Sequence, residues 1–109
     1  MIEAIDREQL ISLFGDEEFV DEIIHKVAED TLLALDRLKG QKDSGDYKNY
    51  AIDAHGIKGM MASIYYEPLR EHAKQHEFAA KEERIDFINE DFEAFVAECT
   101  AFCNEVLGQ

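Results

Sequence analysis

The stretch Asp53-Ala54-His55-Gly56-Ile57-Lys58-Gly59-Met60-Met61-Ala62 decides how the rest of the chain is read. As a helix it carries two stripes. Tyr47, Tyr50, Ala54, Ile57, Met61 and Ile64 step by three and four residues, the spacing of a core-facing seam. One residue further round lie Lys48, Ala51, His55, Lys58, Gly59 and Ala62. His55 is therefore expected to point off the core, with Lys58 and Gly59 one turn below it and Ala51 one turn above. Gly56 and Gly59 each cost such a helix about 1 kcal/mol relative to alanine. Two such losses beside an outward histidine point to clearance for a partner's backbone, although glycine also serves close helix packing.

On either side of this stretch the same helical period continues. Asp6 is expected to cap a short helix, Arg7 to Phe14, ended by Gly15, and Asp16 to cap a long one. The stripe of the long helix is Val20, Ile24, Val27, Thr31, Leu35 and Leu38, broadened by Phe19, Ile23 and Leu32 and predicted to stop at Gly40. Residues 41–45 read as a polar turn, and Asp46 opens the His55 helix, which reaches about Tyr65. Pro68 suits the first turn of the next helix and biases Glu67 away from helical angles. That helix turns Leu69, Ala73, His76 and Ala80 inward. The last helix begins near Glu83, with Ile85, Ile88, Phe92, Phe95, Cys99, Phe102 and Val106 as its seam and Phe87, Val96, Cys103 and Leu107 beside it. No strand pattern, repeat or linker interrupts the series. These readings predict an all-α fold: an antiparallel up-down-up-down four-helix bundle with a short additional N-terminal helix, one domain over residues 1–109.

Composition narrows the function classes. A chain of 109 residues buries roughly two-thirds of its unfolded surface, and a hydrophobic content of 46% excludes a disordered chain. The net charge of −14 disfavours nucleic acid and anionic membrane as partners. From Lys48 to Lys81 there are five basic and four acidic residues, about +1, which leaves about −15 for the remainder. A negative group carried at His55 would avoid most of the chain's self-repulsion; an ordinary solvated acidic surface is the equal alternative. Cys99 and Cys103, four apart on an apolar stripe, read as buried and reduced. With no signal peptide, membrane run or lipidation motif, the expected place is the cytoplasm.

The remaining histidines offer less. Glu22-x-x-His25 is half of a bundle di-metal motif whose second half is missing. His72 and His76 have the i,i+4 spacing of a metal clamp, yet the sequence shows no third ligand, so no metal site is expected. A phosphate loop, a catalytic serine and an ATP-binding signature are all lacking, which excludes a kinase acting alone.

Ala54-His55-Gly56-Ile57-Lys58-Gly59, followed by Ala62 and Ile64 and by Leu69 in the next helix, resembles the histidine phosphotransfer (HPt) domain family. The Gly45-Asp46-Tyr47 segment and Glu77 also fall where that family often has such residues, and the likeness spans residues 15–107. The chain departs from the pattern at Tyr65, where the family often has glycine or a small residue. It departs again at Met60 and Met61, where small hydroxyl residues are common; Met61 reads as core.

The resemblance implies a phosphocarrier. His55 would be the phosphoacceptor: a neutral imidazole attacks a phosphoryl group unaided and yields a phosphoramidate on its outward nitrogen, Nε2. Its donor and its acceptor would be aspartates of response-regulator receiver domains, with a hybrid histidine kinase as a further partner. The receiver supplies Mg²⁺, so the chain itself needs no cofactor. Lys58 would offset the phosphoryl charge. Gly59, with Ala51 and Ala62, would let the receiver approach. Glu77 and Lys81 would orient the imidazole or touch the partner, while an i,i+4 ion pair on a solvated face explains them equally well. The methionine start favours a free-standing protein. A second function class, a helical adaptor that docks a partner without being phosphorylated, leaves the coexistence of His55 and Lys58 unexplained.

Overall fold

The computed structural model describes residues 5–108. Five helices follow one another: α1 (Arg7–Phe14), α2 (Glu17–Ser44), α3 (Tyr47–Ser63), α4 (Glu67–Lys81) and α5 (Ile85–Leu107). No strand occurs among the described residues, and no helix there is long and apolar enough to cross a membrane.

Each boundary has a local cause. Asp6, Asp16 and Asp46 cap α1, α2 and α3 by accepting the backbone N–H of Gln9, Glu18 and Asn49. Gly15, Gly45 and Gly108 close α1, α2 and α5 in the left-handed region that glycine enters without strain. The predicted stop at Gly40 is overturned. Helix α2 runs through it to Ser44, and the expected polar turn is its last turn. A helical glycine costs about 1 kcal/mol, and ties from this end of α2 offset that cost. Arg37 reaches Asp53 on α3 with two bonds of 3.1 Å, and Gln41 reaches the same carboxylate at 2.8 Å.

Two helices end without glycine. Tyr65, at φ 56°, and Glu83, at φ 57°, take the left-handed position after α3 and α4. In both cases the next two N–H groups fold back on the helix: Tyr65 and Tyr66 bond to Ala62 and Met61, and Glu83 and Arg84 bond to Ala80 and Ala79. The departure at Tyr65 therefore falls on the residue that most favours glycine. Helix α4 starts at Glu67, one residue earlier than Pro68 suggests, and places the proline inside its first turn.

Helix α2 lies against α3 and α5, and α4 lies against the same two, so the long helices form a closed ring; α1 packs on α2. Neither diagonal pair brings described backbone within 8 Å. The predicted seams face inward. Val20, Leu38, Tyr50, Ile57, Met61, Leu69, Ile88, Phe95 and Cys99 are all buried. Burial of a large apolar side chain contributes roughly 1.5–3 kcal/mol. Cys99 and Cys103 are buried free thiols, and burial pushes both toward the protonated form, Cys103 up to about 11. Phe19 and Ile85, expected on inner stripes, are exposed because each stands in the first turn of its helix, beyond the reach of the ring.

Candidate functional site

Because Ala54, Ile57 and Met61 pin α3 to the core, the face that carries His55 turns outward. The His55 side chain is 64% exposed. Its Nδ1 lies 2.9 Å from Glu77 Oε2, supplied by α4. Glu77 is the centre of the site. It is 1% exposed, and three groups surround its carboxylate. Oε2 accepts from Lys81 at 2.7 Å and from His55, and Oε1 forms an ion pair with Lys58 at 2.6 Å, off the angle of a hydrogen bond. Burial pushes the carboxyl up, but the ammonium of Lys58 and the bonds from Lys81 and His55 outweigh burial and hold it down to about 2.

An ionised carboxylate only accepts, so the proton of the neutral imidazole sits on Nδ1 and Nε2 keeps its lone pair. Nε2 has no partner among the described residues. The arrangement holds the exposed ring in one tautomer and leaves Nε2 without a partner among the described residues. Should the ring acquire positive charge, the buried carboxylate is already in place to stabilise it.

The other residues singled out from sequence gather on the same side. Gly59 and Ala62 are exposed on the His55 face of α3. A Cβ at Gly59 would meet nothing within 4 Å, so packing inside this chain does not require glycine there. Ala51 is 7% exposed and Glu77 1%, so neither offers a partner more than an edge. Ala51 instead lines a cavity of about 670 Å³ beside His55, together with Tyr47, Ile52, Ala80 and Lys81. Lys58 and Lys81 both turn toward Glu77, which gives Lys58 a partner that its spacing from His55 does not announce. Two exposed apolar side chains that sequence reading passed over stand nearby, Ile52 at 59% lining the cavity and Phe78 at 43% beside Lys58. Both break the polar expectation of a helix face, and that is the signal by which they could have been found.

A second histidine cluster lies on the inner side of α4. His72 and His76 both direct Nε2 at Asp91 Oδ2 on α5, His76 at 2.9 Å and His72 closer still. The facing helix α5 thus sets a carboxylate beside the two imidazoles, a third group that the sequence spacing did not show. His76 is fully buried, and burial drives its ring toward the neutral form. Burial acts the same way on His72, but Asp91 and Glu98 on either side outweigh it and raise its pKa. Burial pushes Asp91 up, and its two imidazole partners hold it below the usual carboxylate range.

Comparison with family models, with curated proteins and with solved structures gives no match.

Proposed function

We propose that this chain is a phosphotransfer protein of a phosphorelay. Its fold, in this reading, is an antiparallel up-down-up-down four-helix bundle with a short extra helix at the N-terminus. The connections of two or three residues between successive long helices support that topology, because they force each helix to reverse. Its work is done in the cytoplasm, without nucleic acid or membrane, between receiver domains and a hybrid histidine kinase.

The observation that carries the proposal is the pairing of an exposed His55 with a buried, ionised Glu77. In the reaction the Nε2 lone pair attacks the phosphorus of a receiver's aspartyl phosphate. The N–P bond forms as the bond from phosphorus to the aspartate oxygen breaks, and the carboxylate leaves with the electron pair. The Nδ1 proton stays on the ring throughout. Glu77 stabilises the positive charge that the ring gains, acting as a positioning residue because it touches neither phosphorus nor the leaving oxygen. Mg²⁺ in the receiver offsets the charge on the phosphoryl oxygens. The reverse sequence delivers the group to a second aspartate, and no kinase activity of the chain's own is involved. Lys58 helps keep Glu77 ionised and offsets the charge of the phosphoryl group on the neighbouring ring. Gly59 and Ala62 give clearance, while Ile52 and Phe78 offer apolar contact to the docked partner.

Incubation with phosphorylated receiver domains and Mg²⁺ should load the chain with phosphate that is labile in acid and stable in base. His55→Gln should abolish loading while leaving the helical circular dichroism unchanged, and His25→Gln should load as the parent does. A His55→Gln protein that still accepts the group would reject the proposal. If it binds receivers and the parent accepts nothing, the adaptor reading takes its place.

A further inference from the structure

His72 and His76 stand one turn apart on α4, the spacing that brings two imidazoles to one side of a helix. One ligand atom from each of them and one from Asp91 all lie within 4.8 Å of one another, and both Nε2 atoms approach Asp91 Oδ2. A tetrahedral zinc ion with bonds of about 2.0–2.1 Å holds its ligand atoms roughly 3.3 Å apart. Asp91 Oδ2 sits 2.9 Å from His76 Nε2, so a small rotation of this side chain opens the space. The rotation gives up the two imidazole bonds to Oδ2, which the metal bonds replace, and Asp91 is 30% exposed with no bond to its Oδ1 among the described residues.

The surroundings are those of a ligand set as well as of a hydrogen-bonded network. The nitrogens facing away from Asp91 are both held, His76 Nδ1 by the Tyr50 hydroxyl at 2.8 Å and His72 Nδ1 by Glu98 at 3.0 Å. Metal-bound histidines almost always have the far nitrogen engaged in this way, because it fixes the ring and its tautomer. His76 cannot swing: it stacks on Phe95 with ring centroids 4.4 Å apart and packs against Phe87 on another side. His72, at 18% exposure, and Asp91 leave the outer side open to an arriving ion and to a solvent ligand in the fourth position.

We propose that His72 Nε2, His76 Nε2 and Asp91 Oδ2 bind a divalent transition-metal ion of the zinc class, clipping α4 to α5. Two imidazole nitrogens and one carboxylate oxygen suit zinc or cobalt; magnesium and calcium take oxygen-rich sets. With the ion bound, each ring carries its proton on Nδ1, His72 donating to Glu98 and His76 to the Tyr50 oxygen. The site makes no use of the phosphotransfer reading and stands or falls apart from it.

The test titrates the chelator-treated chain with Zn²⁺, and with Co²⁺ for its visible absorption. One equivalent should bind saturably, with the ligand-field spectrum of four-coordinate cobalt and a raised melting temperature. His72→Gln and Asp91→Asn should each weaken binding at least tenfold, and Glu98→Gln about tenfold through loss of the ring's outer partner. His25→Gln should bind as the parent does. In the unsubstituted chain Zn²⁺ should shift the ring ¹⁵N resonances of His72 and His76 and leave those of His25 in place, a readout independent of any variant's folding. Absence of saturable binding would overturn the proposal. So would undiminished binding in folded His72→Gln and Asp91→Asn, or ring shifts confined to His25.

Discussion

His55 with Glu77, and His76 with Asp91, are both histidine–carboxylate pairs closed at 2.9 Å, and α4 contributes one member to each. The two pairs are turned inside out relative to one another. At the first, the carboxylate is buried and the ring is 64% exposed; at the second, the ring is fully buried and the carboxylate is 30% exposed. His76 is engaged at both nitrogens, whereas His55 is engaged at one. The buried member of each pair is the anchor and the outer member is the one free to act. Chemistry at a histidine is therefore decided less by the presence of a carboxylate than by which partner the core holds and whether a ring nitrogen is left over.

The largest effect expected from this contrast is on stability. His76→Ala removes a ring packed against Phe95 and Phe87 and orphans the Tyr50 hydroxyl, and should cost about 3 kcal/mol in urea unfolding. His55→Ala removes an exposed ring and one of three partners of Glu77, and should cost about 1 kcal/mol. Equal costs would erase the distinction between anchor and outer member.

Acid titration sharpens the comparison from the carboxylate side. The folded pKa of Glu77, about 2, lies below an unfolded value near 4.3. Its stabilisation is therefore fully present above pH 4.3 and is lost as pH falls toward 2, with a size on the order of 3 kcal/mol. Parent and Glu77→Gln should accordingly differ most at neutral pH and converge as acid is added. A difference that stays constant with pH would mean that Glu77 does not titrate as the buried anchor.

Gly59→Gln is expected to act in the opposite direction on stability. A Cβ there meets nothing within 4 Å and glutamine replaces a poor helix former, so the protein should gain up to about 1 kcal/mol. Phosphotransfer from a receiver should slow at least tenfold, while a small phosphodonor should be hindered less. Unchanged transfer from the receiver would move the docking face elsewhere.

These contrasts also mark how far the sequence could be read. Period-three-and-four stripes placed all five helices and most of the core, and the HxxKG run singled out His55. Gly40 looked like the stop of the long helix, and propensity alone could not show otherwise, because the ties from Arg37 and Gln41 to Asp53 join different helices. Glu77 read equally as a residue orienting His55 or touching the partner and as half of a solvated Glu–Lys pair; only the register that brings Lys58 and His55 to it from α3 decides. Asp91 was invisible as a partner for His72 and His76, since no spacing rule links residues across a turn. Local pattern fixes elements and faces, and the register between facing helices decides which charges meet.

The central claim is that Glu77 holds the proton on His55 Nδ1 and leaves Nε2 as the nucleophile. It is tested most directly by loading the ¹⁵N-histidine-labelled chain from a phosphorylated receiver and recording ³¹P and ¹⁵N spectra. The predicted result is a phosphoryl group bonded to Nε2 of His55, with Nδ1 still protonated. A phosphoryl group on Nδ1 or on any other residue, or no protein-bound phosphate at all, would contradict it.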